Sequence, residues 1–189
     1  MTGLVLLRNV AFINLYVNLM TAFILHYVKL TLLRAAPQDM PASSVLQKIL
    51  IILYFLLSIL NAESINNLLH TLVHGIIDLL MLFVFTYLLL RENKQRINQT
   101  FNSFLGVGLV IGVVHTIGVG LFSVNQDPQS ISDLARIIFF IIFIWVIVVY
   151  AHIIRHAAEV NMAVASCIGL IYIVLNVMML VSISELLKV

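Results

Sequence analysis

Five stretches of this chain are long and apolar enough to cross a lipid bilayer. A transmembrane helix needs roughly 17 to 25 predominantly apolar residues, because every backbone polar group must be bonded inside the helix while it crosses the hydrocarbon core. The predicted spans are residues 45–60, 68–90, 104–122, 134–150 and 162–183. The pattern predicts an all-α integral membrane protein built as a five-span helical bundle.

The overall composition supports the same class. Hydrophobic residues make up 62% of the 189 residues and charged residues 10%, whereas soluble domains carry roughly 25% charged residues. No repeat, linker or low-complexity stretch divides the chain, so we predict a single transmembrane domain over residues 1–189. The net charge of +2 argues against nucleic-acid binding. The single cysteine, Cys167, excludes an intramolecular disulfide.

Residues 4–33 have the pattern of an amphipathic helix, with polar and apolar side chains on opposite arcs. The polar arc consists of Arg8, Asn14, Asn18, Thr21, His26 and Lys29, and the apolar arc of Phe12, Tyr16, Met20, Phe23, Ile24 and Tyr27. We predict a helix lying in the membrane interface, and a sixth span packed inside the bundle is the alternative. Pro37 and Pro41 then stop the helix, and Ser43 or Ser44 is the expected N-cap of the next one.

Lysine and arginine residues are distributed unevenly between the two sides of the predicted bundle. Those on one side are Lys29, Arg34, Lys48, Arg91, Lys94, Arg96 and Arg155, whereas the opposite loops, residues 61–67 and 123–133, contain none. Because basic residues are retained in the cytoplasm, this side is predicted to be cytoplasmic and the C-terminus external. The most polar stretch, residues 91–104, is predicted to be a solvated cytoplasmic turn.

One face of the second predicted span carries ionisable side chains. His70, His74 and Asp78 are spaced four residues apart, which places them on one side of a helix. A charged carboxylate near the middle of the membrane costs on the order of 3 kcal/mol or more unless it is paired or protonated. We therefore predict that this face points into the bundle.

Two further polar side chains are predicted at a similar depth, His115 in the third span and Asn176 in the last. Gly108 and Gly112 share a face with His115, and small residues four apart let helices approach closely. We therefore expect His115 to point inward and to meet the polar face of the second span in one buried layer.

The sequence leaves three functions open for this intramembrane cluster. An interhelical hydrogen-bond network is the simplest, since polar contacts in membranes stabilise packing by roughly 0.6 to 2 kcal/mol each. A small proton- or cation-conducting transporter is the main alternative, because intramembrane Asp and His commonly carry relays. Metal or haem binding is the third, with His70, His74 and Asp78 at metal-ligand spacing, and His74 and His115 as the pair matched in depth for haem.

A second cluster of titratable residues ends the fourth predicted span, where His152, Arg155, His156 and Glu159 share one broad face. Basic residues at a helix C-terminus complement the helix dipole and anionic lipid headgroups, and Glu159 is expected to pair with Arg155 or His156. A metal site is the alternative. Histidine-rich membrane di-iron sites need more such pairs, so the structural interpretation is favoured.

Motifs for recognised catalytic chemistry are missing from the sequence. It contains no Gly-x-Ser-x-Gly, phosphate-binding loop, dinucleotide fingerprint, His-Glu-x-x-His or Cys-x-x-Cys. We therefore predict a protein that is not an enzyme and uses no cofactor.

The layout of the chain also resembles a known family. The stretch "LLRAAPQDMPASS" leading into an apolar span, four further spans, and "WVIVVYAHIIRHA" before the last helix resemble small bacterial inner-membrane proteins grouped with the Yip (Rab/Ypt-interacting) five-span family. The resemblance implies a cytoplasmic N-terminus, no catalytic residues, and action by binding membrane proteins or further copies and by shaping the bilayer. Eukaryotic members carry a long soluble N-terminal region that this sequence lacks, so Rab binding is not implied.

Overall fold

The computed structural model describes residues 21–60, 68–123 and 133–187, and these are almost entirely helical. Helix α1 covers the described residues 21–31, and the later helices are α2 (Ser44–Leu60), α3 (Leu68–Leu89), α4 (Ile97–Ser123), α5 (Asp133–Ala158) and α6 (Met162–Leu187). Short 3-10 helices, Pro37–Asp39 and Lys94–Arg96, precede α2 and α4. No strand occurs in the described ranges.

Four helices, α3 to α6, are long and apolar enough to cross a membrane, and α2 is apolar but shorter. The predicted class, an all-α membrane protein, is confirmed. Helix α3 packs against α2, α4 and α6, while α5 packs against α4 and α6, and α2 also packs against α4. Each of the long helices therefore has at least two helical neighbours.

Three helices extend beyond the predicted membrane spans. Helix α5 continues from residue 150 to Ala158 and so carries His152, Arg155 and His156, and α6 continues from residue 183 to Leu187. Helix α4 begins at Ile97, so the solvated turn predicted over residues 91–104 is wrong beyond Arg96. Thr100, Asn102 and Ser103 in that stretch are buried because their short polar side chains fit into a helix interface.

Buried residues are concentrated at one end of the bundle. We call this end the packed half; it contains residues 27–31, 82–90, 100–107, 149–157 and 165–172. The other end, the open half, contains residues 69–80, 108–118, 136–148 and 173–185. Gly75 is the one buried residue among those described in the open half. The helices therefore interdigitate closely at one end and present more of their surface at the other.

Helix α1 packs into the packed half. Tyr27, Leu30 and Thr31 are buried, and a Cβ atom at Gly106 of α4 would lie 2.1 Å from the Tyr27 ring. The indole nitrogen of Trp145 in α5 donates a hydrogen bond of 3.1 Å to the Thr31 carbonyl. Of the amphipathic helix predicted over residues 4–33, residues 4–20 lie outside the described ranges, and the described end joins the bundle core instead of standing apart from it.

The α1–α2 linker, residues 32–43, is irregular and depends on α4 for hydrogen bonds. The Asn102 amide nitrogen donates to the carbonyls of Pro41 and Ser43, each at 3.3 Å. The Ser43 hydroxyl accepts a bond of 3.3 Å from the Leu46 backbone N–H, which confirms Ser43 as the N-cap of α2. Irregular backbone packed against a helix needs such partners because carbonyls such as that of Pro41 are not bonded within a helix.

Candidate functional site

Asp78 lies near the middle of α3, half-buried, at the boundary between the packed and open halves. Its Oδ1 accepts a hydrogen bond of 2.6 Å from the side-chain nitrogen of Asn176 in α6. Its Oδ2 accepts a hydrogen bond from the hydroxyl of Tyr54 in α2. We call these three residues the Asp78 cluster, and it links three helices through both oxygens of one carboxylate.

Aromatic rings from four helices pack beside the Asp78 cluster. The Tyr172 ring stacks on Phe85 with centroids 4.3 Å apart and on Tyr150 at 5.9 Å, and the Phe104 ring lies 4.9 Å from Tyr150. Tyr150 and Tyr172 also lie within electrostatic range of Asp78. Such surroundings strengthen the hydrogen bonds to the carboxylate and make leaving one unmade costly.

His70 and His74 continue from Asp78 along α3 into the open half, as their spacing predicts. Their rings are 4.0 Å apart between centroids, and both residues are half-buried. His74 Nε2 lies 3.2 Å from the Ser184 hydroxyl of α6. The same hydroxyl lies 2.9 Å from the Leu180 carbonyl, so Ser184 contacts both His74 and the backbone of its own helix.

His115 is not brought to these residues. It is exposed, and its ring packs against Phe139 of α5 with centroids 5.5 Å apart. A Cβ at Gly112 would lie 2.6 Å from Leu57 of α2, whereas a Cβ at Gly108 would meet nothing within 4 Å. The inward orientation expected of His115 is therefore not observed, since its exposed ring lies beside α5 while Gly112 lies against α2.

In the second cluster, His152 and His156 help to hold the α1–α2 linker. His152 Nε2 donates a hydrogen bond of 2.8 Å to the Ala35 carbonyl, and the Gln38 side chain donates to the His156 carbonyl. The two imidazole rings are 4.5 Å apart in an edge-to-face arrangement, while Arg155 is exposed. These contacts fasten the linker along the end of α5.

Glu159 follows α5 and pairs with a different partner from the one predicted. Its Oε1 lies 2.6 Å from the guanidinium of Arg96, before the start of α4. The predicted partners were Arg155 and His156. The backbone φ of 57° at Glu159 takes the chain out of the helical path, so the side chain no longer lies over the preceding turn. A contact between the residue after α5 and the 3-10 helix before α4 therefore replaces the expected contact within α5.

The described residues contain no group of three or more His, Cys, Asp or Glu side chains that could hold a metal ion. Each of the two histidine pairs supplies two ligands at most. His74 and His115, the pair considered for haem, contact different neighbours.

Two residues of the site, Tyr54 and Ser184, were not among the predicted ones. A tyrosine inside an apolar helix carries a hydroxyl that needs a partner, and this signal would have indicated Tyr54. Ser184 gives no comparable signal, since a serine hydroxyl is commonly satisfied by the carbonyl four residues earlier.

Comparison with known proteins adds no relative from which to transfer a function. No family model, no curated protein and no solved structure matches this chain. A functional proposal therefore has to be based on the site and on the membrane character of the helices.

Proposed function

We propose that this protein is a non-enzymatic membrane protein that acts as an interaction or accessory module in a bacterial cytoplasmic membrane. The observation that carries the proposal is the Asp78 cluster, in which side chains from α2 and α6 occupy both carboxylate oxygens. A carboxylate held in this way ties helices together. Its role is then to keep the bundle in one arrangement.

The energetics favour this structural role for Asp78. Interhelical hydrogen bonds in membranes contribute about 0.6 to 1.7 kcal/mol each, whereas an unpaired charge at that depth costs on the order of 3 kcal/mol or more. An Asp78 that lost its partners would therefore destabilise the bundle more than a side chain without a charge at this position. The outward apolar faces, including Ile171 and Met178 of α6 at 59% and 61% exposed, are left for lipid, other membrane proteins or further copies of the chain.

The proposed topology has five spans, α2 to α6, with the packed half toward the cytoplasm and the C-terminus external. Helix α2 has 17 residues, about 25 Å at 1.5 Å per residue, which crosses most of a core of about 30 Å. The uneven distribution of lysine and arginine supplies the orientation. A reporter fused after Lys94 should read cytoplasmic and one after Gln126 external, and the opposite pair of readings would reverse the topology.

The main experiment is a pH-jump flux assay on liposomes with purified wild-type or Asp78→Asn protein, together with unfolding measurements. An amide keeps an acceptor and adds donors, so we expect Asp78→Asn to fold with a loss of no more than about 1 to 2 kcal/mol. Neither protein should conduct protons or cations. Robust wild-type flux that disappears in a normally stable Asp78→Asn variant would defeat the proposal.

A small proton- or cation-conducting transporter is the second candidate, and the series of polar groups along α3 and α6 favours it. His70 contacts His74, His74 contacts Ser184, and Asp78 contacts Asn176 one helical turn further on. Such a series could pass protons between the open half and the membrane centre. The flux assay separates this candidate from the first, since only a transporter predicts conduction.

Partner binding is tested by affinity purification from native membrane. An interaction module should retain a reproducible membrane protein or a second copy of itself after stringent washing. Ultraviolet-visible spectra and metal analysis on the same sample test for haem and metal. A sample that contains stoichiometric haem or metal and no partner would contradict the proposed role.

A further inference from the structure

Four aromatic rings, one from each of the helices α3 to α6, form a closed circuit inside the bundle. The Phe85 ring of α3 stacks on Tyr172 of α6 with centroids 4.3 Å apart, and Tyr172 lies 5.9 Å from Tyr150 of α5. The Phe104 ring of α4 closes the circuit, at 4.9 Å from Tyr150 and 5.9 Å from Phe85. Phe104 is fully buried and Tyr172 is 6% exposed. We call these four rings the aromatic layer.

The aromatic layer lies on the packed side of the Asp78 cluster. Phe85 follows Asp78 by seven residues along α3, a rise of roughly 10 Å. Tyr172 precedes Asn176 by four residues along α6, a rise of roughly 6 Å. Because α6 runs antiparallel to α3, as the contacts of Asn176 and Ser184 with α3 show, both rings are displaced from the Asp78 cluster in the same direction.

The polar series along α3 and α6 ends, among the described residues, where the aromatic layer begins. From the open half, His74 and Ser184 lead along the two helices toward Asp78. One turn past Asp78 the same face of α3 carries Leu82, which is 6% exposed. Leu82 and Tyr172 belong to one buried apolar cluster. Groups that could bind water or a proton therefore give way to an aliphatic side chain and packed rings.

We propose that the aromatic layer is a permeability barrier, so that Asp78 exchanges protons or small cations with the open half alone. A charge crosses a membrane interior only where water or polar groups accompany it. Packed side chains leave few voids that could hold a water molecule. This inference rests on the proposed non-conducting role and supplies its physical cause, since the polar series is present but closed at one layer.

The first test opens the layer. Phe104→Ser removes a ring that contacts two others and supplies a hydroxyl that can hold water, whereas a purely apolar cavity stays dry. The matched control is Phe104→Leu, which keeps the position apolar. In liposomes loaded with a pH-sensitive dye, a pH jump should equilibrate about ten-fold faster with Phe104→Ser than with wild type or Phe104→Leu.

The leak should depend on Asp78. Adding Asp78→Asn to Phe104→Ser should return the rate to near the wild-type value, because an amide does not carry a proton. A leak that persists in this double variant would overturn the proposal. Retention of a larger dye, carboxyfluorescein, establishes that the vesicles are intact, and a helical circular dichroism spectrum establishes folding. Phe85→Ser is the second opening variant, to be used if Phe104→Ser does not fold.

The second test keeps the aromatic layer intact and measures from which side Asp78 is reached. The native Cys167 is exposed, so Asp78→Cys is made in a Cys167→Ser background. A membrane-impermeant thiol reagent should label it from the side of the open half and about ten-fold more slowly from the other side. The topology reporters after Lys94 and Gln126 identify the two sides.

Three further results would overturn the proposal. A folded layer variant as tight as wild type would remove the barrier role and leave the proposed non-conducting function in place. Equal thiol labelling from both sides would have the same meaning. Wild-type flux that Asp78→Asn abolishes would overturn both, because the rings would then not close the path.

Discussion

The packed half and the open half of the bundle treat polar side chains differently. In the packed half the buried polar residues are short, and Thr86 and Ser103 each donate a hydrogen bond of 2.8 Å to the carbonyl four residues earlier in their own helix. In the open half, polar side chains bond between helices, Asp78 with Asn176 and His74 with Ser184, and His115 is exposed. These hydroxyls of the packed half are thus satisfied within their own helices and Asn102 bonds the α1–α2 linker, whereas the hydrogen bonds of Asp78 and His74 join different helices.

This difference indicates which half is sensitive to substitution and which half tolerates it. Dense packing makes the packed half sensitive to a single added carbon atom, since interiors have few voids to absorb it. The open half makes fewer close contacts, so its side chains can be exchanged at lower cost. The Asp78 cluster lies at the boundary, where a change of packing in one half would alter contacts in the other.

The largest expected effect is that of Gly106→Ala in the packed half. Its new Cβ would lie 2.1 Å from the ring of the buried Tyr27, so α1 must move away from α4. We expect the free energy of unfolding to fall by about 3 kcal/mol, the upper end for overpacking. Denaturant titration in mixed micelles measures it.

Gly108→Ala is the matched control on the same helix, because a Cβ there meets nothing within 4 Å. Alanine favours a helix over glycine by up to about 1 kcal/mol, so this variant should be unchanged or slightly more stable. Equal losses in the two variants would mean that α4 is not packed more tightly at Gly106 than at Gly108.

The next largest effect is expected for Asn102→Leu, also in the packed half. Leucine is similar in size but removes the hydrogen bonds to the Pro41 and Ser43 carbonyls. The Ser43 carbonyl keeps a bond of 3.1 Å from the Gln47 backbone N–H, so the half-buried Pro41 carbonyl is the one that loses its donor. An unmade bond of this kind costs about 1 to 3 kcal/mol, and we expect a loss of about 1.5 kcal/mol. Faster proteolysis within the α1–α2 linker should accompany it, and an unchanged cleavage rate would show that Asn102 does not hold the linker.

The regular part of the fold could be predicted from the sequence because apolar length determines membrane helices. All five predicted spans coincide with helices in the structure. The extension of α4 to Ile97 could not be predicted from hydropathy. There, polar residues such as Asn102 lie inside the bundle because the linker carbonyls need a donor, and that need arises only when the two segments meet.

The sequence predicted which residues of the candidate site share one helix face. It predicted only some of the contacts that these residues make with other helices. The spacing of His70, His74 and Asp78 fixes their common face, and equal depth correctly brought Asn176 to Asp78. Depth alone does not determine rotation about a helix axis. His115 shares the depth but lies exposed beside Phe139 of α5, away from the Asp78 cluster.

A moderate effect is expected at the boundary, for Tyr54→Phe. The ring and its packing remain, and the hydrogen bond to Asp78 is lost. Interhelical hydrogen bonds in membranes are worth about 0.6 to 1.7 kcal/mol, so unfolding should become easier by about 1 kcal/mol. In the Asp78→Asn background the same change should cost less, since the two residues interact directly. Additive losses in this double-mutant cycle would contradict a shared interaction.

The smallest effect is expected for the ion pair between Arg96 and Glu159, at the edge of the packed half. The two side chains are 34% and 65% exposed, and exposed pairs contribute about 0.2 to 1 kcal/mol that salt screens. Glu159→Gln should therefore lower stability by no more than about 0.5 kcal/mol, and less at high salt.

Glu159→Gly separates the ion pair from the backbone at this position. Glycine adopts the observed φ of 57° without the cost of about 1 to 2 kcal/mol that other residues carry there. The relief should exceed the lost ion pair, so Glu159→Gly is expected to be more stable than Glu159→Gln at every salt concentration. If both variants lose about 2 kcal/mol, the ion pair rather than close packing would hold this end of the bundle together. The difference in stability between the packed and open halves could then not be attributed to packing.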